Sequence, residues 1–136
     1  MKHFRRPLVA LALIAGVAVG PLAANEDLWR DCRTCHQVVA PDGTVLARGG
    51  RAGPNLYGVA GRALAGDGGF RLYSSDLQQA AATGARWTED NFVAYLAGPD
   101  QFLRGITGNA TAQSGMHVAL GQGGAELFRW LRDLSN

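Results

Sequence analysis

The chain opens on an apolar run from Leu8 to Val19, preceded by Lys2, Arg5 and Arg6 and followed by the small residues Ala23 and Ala24. A basic head, an apolar middle and a small-residue end make a secretory leader, placed here at 1–24 with cleavage near Ala24. The rival reading is a retained anchor, because Pro7 to Ala24 comes close to the roughly 18 residues that a span needs. An anchored domain would begin with no linker to free it from the bilayer. Downstream, helical spacing returns only in short stretches. Asn25 to Cys35 predicts a first helix with Leu28 and Trp29 inward. Thr88, Glu89 and Asp90 predict a capped helix start. Phe92, Tyr95 and Leu96 follow at i, i+3 and i+4, and Gly98-Pro99 closes the run. Asp100 is placed to cap a short helix carrying Phe102 and Leu103. Gly124 to Leu134 predicts the last helix, with Leu127, Leu131 and Leu134 on one face and Trp130 beside it. Gly43 to Gly69 is punctuated throughout and predicts loop. No repeat and no strand pattern stands out. The expectation is one all-α domain over 25–136, built of few short helices and long loops.

Charge changes the picture once the leader is set aside. The full chain has 13 Lys+Arg against 11 Asp+Glu, a net +2. Removing Lys2, Arg5 and Arg6 leaves ten basic residues, all arginine, and a net charge of −1. The basic balance therefore belongs to the leader and gives no support to nucleic-acid binding.

The chemistry concentrates in Cys32-Arg33-Thr34-Cys35-His36, which has the C-x-x-C-H form of a c-type haem attachment site. Positions i and i+3 of a helical turn share a face, so two thiols reach two vinyl groups of one ring, and the next residue, His36, is pointed at the iron. Zinc would want a second pair of ligands, and His3 and His117 are not spaced as one. A thioredoxin-like dithiol and a structural disulfide remain as alternatives. The composition fits the haem reading. Seventeen glycines lie beyond the leader, and a chain so rich in loops has difficulty burying enough surface alone. A large apolar ring supplies the missing core, with backbone packed directly against it. For a second axial ligand, the chain beyond the leader offers one methionine, Met116, in the polar loop Gln113-Ser114-Gly115-Met116-His117. Adjacent residues of an extended loop point opposite ways, so Met116 or His117 enters the pocket and the other faces solvent. Met116 is favoured. His–His ligation would give a lower potential than His–Met.

These motifs stand in a fixed order: CRTCH, GPNLYGVAGR from Gly53 to Arg62, Phe70 with Tyr73, WTEDNFVAYLAGP from Trp87 to Pro99, SGM at Ser114 to Met116, and LFRWL near the end. The series resembles the class I cytochromes c, above all the bacterial cytochromes c2 related to the mitochondrial carrier. The resemblance covers the whole region after the leader. It implies a class I cytochrome c fold around one covalent haem c on Cys32 and Cys35, with iron ligated by His36 and Met116. Pro54 resembles the proline whose carbonyl accepts from the axial histidine. Arg62, Tyr73 and Trp87 resemble the donors to the inner propionate. Tyr95 resembles the aromatic beside the methionine sulfur, and Leu56 and Leu96 resemble apolar haem contacts. Ser114 resembles the hydroxyl residue of the ligand loop. Leu127 and Trp130 resemble residues of the last helix that cross the first.

Three departures stand out. The family's first-helix glycine at that crossing falls near Asn25, so a looser crossing is expected. Val118 stands where phenylalanine is common. The lysines that steer the family to acidic partners are absent, with Arg33, Arg48, Arg51 and Arg104 as partial substitutes. The function implied is a soluble, monomeric, periplasmic one-haem electron carrier and not an enzyme. The implied donor is a bc1-type complex, and the acceptor a reaction centre or terminal oxidase. The alternative is the haem c subunit of a periplasmic dehydrogenase.

Overall fold

The computed structural model describes residues 26–136. The leader expectation at 1–24, and Asn25 at the head of the first helix, lie outside the described residues. Residues 26–29 are helical (α1), and the chain then steps through hydrogen-bonded turns to Cys35. His36 N–H donates to the Cys32 carbonyl at 2.9 Å, an i to i−4 bond, so one helical turn carries Cys32 into His36.

Next comes a small antiparallel ribbon, β1 (Val38–Val39) and β2 (Val45–Ala47), with Val38 opposite Ala47 and a register shift beside it. This corrects the expectation of loop after Gly43. Asp42-Gly43 is a hairpin signal: Gly43 takes φ +88°, and Asp42 Oδ1 accepts from Thr44 N–H at 2.9 Å. Two- and three-residue strands leave no alternation for a sequence pattern to show.

Four helices follow: α2 (Ser75–Ala81), α3 (Glu89–Ala97), α4 (Pro99–Thr107) and α5 (Gly124–Leu134). The expected Thr88 cap is present, its hydroxyl accepting from Asn91 N–H at 3.1 Å. The expected Asp100 cap is not. Pro99 takes the first position of α4, where its missing N–H costs nothing. Gly98 therefore stands at the cap, and Asp100 falls inside the first turn. Helix α2 was not expected. Ser74 caps it, accepting from Leu77 N–H at 3.1 Å, and Leu77 and Ala80 are its buried face.

Helix α3 packs against both α4 and α5, and α2 packs against α4. The start of α5 comes close because glycines stand there. A Cβ at Gly124 would touch Val93 and Leu96 of α3, and one at Gly123 would lie 3.2 Å from Leu28 Cδ2. The looser crossing expected near Asn25 lies outside the described residues, but the described part of α1 meets α5 closely. Trp29 is buried, and its ring lies 5.6 Å from that of Trp130. Leu127 is fully buried and also borders the interior cleft described next.

Candidate functional site

Cys32, Cys35 and His36 border one deep, mainly apolar cleft with about 300 Å³ of water-accessible space. The wall around His36 is made by backbone interlocking with backbone. Gly50 N–H donates to Arg33 O at 2.9 Å and Gly53 N–H to Cys35 O at 2.8 Å, so residues 49–53 run along the C-x-x-C-H turn. Glycine is required there. A Cβ would fall 1.7 Å from His36 O at Gly49, 2.2 Å from Thr34 O at Gly50 and 2.4 Å from His36 Cε1 at Gly53. Trp29 pins the same segment, its indole N–H donating to Arg48 O at 2.8 Å.

His36 Nδ1 lies 2.8 Å from the Pro54 carbonyl. A carbonyl only accepts, so Nδ1 carries the proton and Nε2 keeps its lone pair. Burial pushes the His36 pKa down, against a smaller upward pull from the Pro54 bond. The ring is thereby held neutral, the form that binds metals. Pro54 is itself fixed through its neighbour. The Asn55 side chain accepts from Val39 and Tyr57 N–H and donates to Val39 O at 2.8 Å, while its own N–H donates to Asp67 at 2.9 Å. Burial, then the Asp31 carboxylate, pushes the Cys32 thiol up to about 11. A redox dithiol acts through a thiolate of depressed pKa, so this shift runs against the dithiol alternative.

A second wall carries Arg62, Tyr73 and Trp87. Trp87 N–H donates to Arg62 O at 2.9 Å and Gly61 N–H to Trp87 O at 2.8 Å, around the isolated bridge of Ala63 to Arg86. That pairing sets Arg62 and Trp87 side by side from 25 residues apart. Arg62 Nη1 donates to the carbonyls of Asn55 and Tyr57 at 3.1 Å, but its buried Nε has no partner among the described residues. A buried N–H of a guanidinium calls for an acceptor, and an anionic one suits it. The Tyr73 hydroxyl accepts from Asp67 N–H at 3.0 Å, which leaves its own proton free to donate. Burial is the main cause raising the Tyr73 pKa.

Helix α3 and the arm after α4 form the third wall. Phe92, Tyr95 and Leu96 are the buried face of α3, and Trp87 meets Tyr95 edge-on at 5.1 Å. The Tyr95 and Ser114 hydroxyls share a hydrogen bond. Burial raises the Tyr95 pKa while the Ser114 bond lowers it less. Ser114 Oγ also accepts from Met116 N–H at 3.0 Å, and Ser114 N–H donates to Asp100 Oδ1 at 2.7 Å. Met116 is half-buried and packs against the core, whereas His117 is exposed at the cleft edge.

The eleven residues expected to hold the haem line this cleft: Cys32, Cys35, His36, Pro54, Leu56, Arg62, Tyr73, Trp87, Tyr95, Leu96 and Met116. Val59 and Leu77 are buried wall residues that sequence reasoning missed. Leu77 had a signal, since it stands three residues after the Ser74 cap. At the mouth, Leu72 is 75% exposed and Val118 43% exposed. Arg33, Arg48 and Arg51 are exposed, but Arg104 is engaged by Ala112 O at 3.3 Å and by Asp100. Among the described residues no cluster of three or more His, Cys, Asp or Glu could hold a metal, and no helix is long and apolar enough to cross a membrane.

No protein-family profile matches the chain. Among curated proteins, it is 42% identical over 118 residues to cytochrome c-551 of Roseobacter denitrificans, spanning 87% of this chain and 84% of that one. It is 36% identical over 124 residues to cytochrome c2 of Rhodobacter capsulatus, spanning 91% and 90%. Among solved structures, ferric cytochrome c-550 of Paracoccus versutus superposes with a TM-score of 0.78 at 35% identity, over 84% of this chain and 97% of that one. Cytochrome c2 of Rhodobacter capsulatus gives 0.79 at 34% identity, over 86% and 100%. On identities of this size over most of both chains, in sequence and in structure, the chain belongs to the bacterial cytochrome c2 family and has the class I cytochrome c fold.

Proposed function

We propose that this chain is a one-haem electron carrier of the periplasm. The family implies covalent haem c, and the chain has two cysteines for it. The observation that carries the finer reading is the gathering of Cys32, Cys35, His36 and Met116 on one apolar cleft. The residues present fit the group. His36 is held in the tautomer that leaves Nε2 free, and the unpartnered Arg62 Nε is placed for a propionate oxygen. When bound, haem c supplies the one-electron Fe(II)/Fe(III) couple.

The side chains then have separate tasks. Cys32 and Cys35 tether the ring as thioethers, and His36 and Met116 bind the iron. The Pro54 carbonyl fixes the imidazole ring and strengthens it as a ligand. Arg62, Tyr73 and Trp87 hold the inner propionate, since a buried carboxylate needs donors. Leu56, Tyr95 and Leu96 exclude water, and an apolar pocket with a thioether ligand favours the reduced state. His36 and Met116 together would hold the iron from two sides of the cleft and leave it closed to a substrate, which supports a carrier over an enzyme.

The partners are a bc1-type donor and a reaction centre or oxidase as acceptor, met as a monomer through small, transient contacts. Leu72 and Val118 at the mouth are suited to such contacts. The leader at 1–24 accounts for export, and its cleavage near Ala24 leaves the carrier free of the bilayer. The test is turnover between purified complexes. Rapid reduction by a quinol-fed bc1 complex, by a protein that runs as a monomer, is the expected result. Stable co-purification with a dehydrogenase catalytic subunit, with no reduction by bc1, would contradict it.

A further inference from the structure

Asp76 sits half-buried in the first turn of α2, and one distant segment uses both of its oxygens. Oδ1 accepts from Asn109 Nδ2 at 3.2 Å, and Oδ2 accepts from Gln113 N–H at 2.9 Å. These donors lie 33 and 37 residues away in sequence. They open the arm 108–123, which contains neither helix nor strand and carries Met116. We propose that Asp76 is a positioning residue that fastens this arm to α2 and so sets how readily Met116 yields its place to another ligand. The proposal rests on the reading of Met116 as an iron ligand.

The first part of the arm is a compact turn. Asn109 Oδ1 accepts from Thr111 N–H and from the Thr111 hydroxyl, and Ala112 N–H donates to Asn109 O. Asn109 thus gives one end of its amide to the turn and the other to Asp76. Helix α4 also reaches the arm, through Arg104 to Ala112 O and through Asp100 to Ser114 N–H. Asp76 is the strap from α2, so the turn is tied to two helices just before Met116. A carboxylate suits the place, because it accepts at both oxygens and its bonds are stronger than neutral ones. Helix α2 does not need Asp76 for its cap, which Ser74 supplies.

The test uses the full, haem-loaded protein as wild type, Asp76→Ala and Asp76→Asn. Imidazole is titrated into the ferric form, following loss of the far-red methionine–iron band, and hydrogen exchange is measured at 109–116. With two charge-assisted bonds lost, Asp76→Ala is expected to bind imidazole about tenfold more tightly and to exchange at Gln113 about tenfold faster, with α5 unchanged. Asp76→Asn keeps one acceptor oxygen and should fall between, and it serves alone if the alanine variant does not fold. Asp90→Asn removes a first-turn carboxylate from α3 and should move neither readout. Wild-type imidazole affinity in both Asp76 variants overturns the proposal, whether or not exchange quickens. Equal shifts in Asp90→Asn overturn it as well. A wild-type protein with no such band contradicts the Met116 reading itself, before any variant is made.

Discussion

The two sides of the cleft are built by different means. Around His36, residues 32–36 and 49–54 interlock through backbone bonds, at clearances that only glycine allows. Around Met116, an irregular arm of sixteen residues is held mainly by side chains, the Tyr95 and Ser114 hydroxyls and the Asp76 and Asp100 carboxylates, with one backbone bond beyond Met116 from Leu120 N–H to Leu96 O at 2.7 Å. The first arrangement is close in sequence and leaves no slack. The second spans 14 to 37 residues per strap and can loosen one bond at a time. Under the proposed function, the permanent attachment would fall to the first kind of construction and the exchangeable ligand to the second.

The largest effect is expected where there is no slack. A Cβ at Gly49 would lie 1.7 Å from His36 O and 2.7 Å from Arg33 O, both backbone atoms that cannot swing aside. Gly49→Ala should cost stability at or beyond the upper end of the ~1–3 kcal/mol range for overpacking. Denaturant unfolding checks this, and a change within about 0.5 kcal/mol, ordinary for a surface site, would break the contrast. On the other side, Ser114→Ala strands the buried Tyr95 hydroxyl and frees Met116 N–H. It should cost roughly 1–3 kcal/mol, while thioether attachment stays complete by mass. A loss of attached haem would mean that the two sides are not independent.

Smaller effects sharpen the contrast from outside it. Thr88→Ala removes the α3 cap and should cost ~1 kcal/mol, with Thr88→Ser restoring most of it. Its optical spectrum should match the wild type. The smallest effect belongs to Glu89, which Arg129 grips through both carboxylate oxygens at 2.6 and 3.0 Å. The Arg129 hydrogen bond is the first cause holding the Glu89 pKa below its ordinary 4.5. The folded form therefore binds its proton less readily than the unfolded one. The pair's contribution is present above the ordinary value and is lost as pH falls through the depressed one. Glu89→Gln and wild type should differ slightly at neutral pH and low salt, and converge in acid. A difference that widens in acid would contradict this sign.

The sequence made α5 legible because its apolar face repeats over about two turns, and α3 because the Thr88 cap and Gly98 bracket Phe92, Tyr95 and Leu96. Helix α2 escaped because seven residues carry only Leu77 and Ala80 inward. The 38–47 ribbon escaped because its strands are too short to alternate. The cap of α4 was misplaced because Asp100 is a better capping residue than Gly98, yet Pro99 decides where the helix begins. The cleft residues were legible because motifs place them, from Pro54 to Trp87. What joins them was not. The bridge that sets Arg62 beside Trp87, and the reach of Asp76 to Gln113, are long-range pairings with no local pattern.

The central claim is that His36 and Met116 are the ligands of one covalent haem. The most direct test is the optical spectrum of the exported protein, oxidised and reduced, with a pyridine haemochrome assay, for wild type and Met116→Ala. A thioether-linked haem in both, with the far-red methionine–iron(III) band in wild type alone and a lowered potential in the variant, is the predicted result. A band that survives in Met116→Ala, or covalent haem lacking it in wild type, would contradict the account and turn attention to His117.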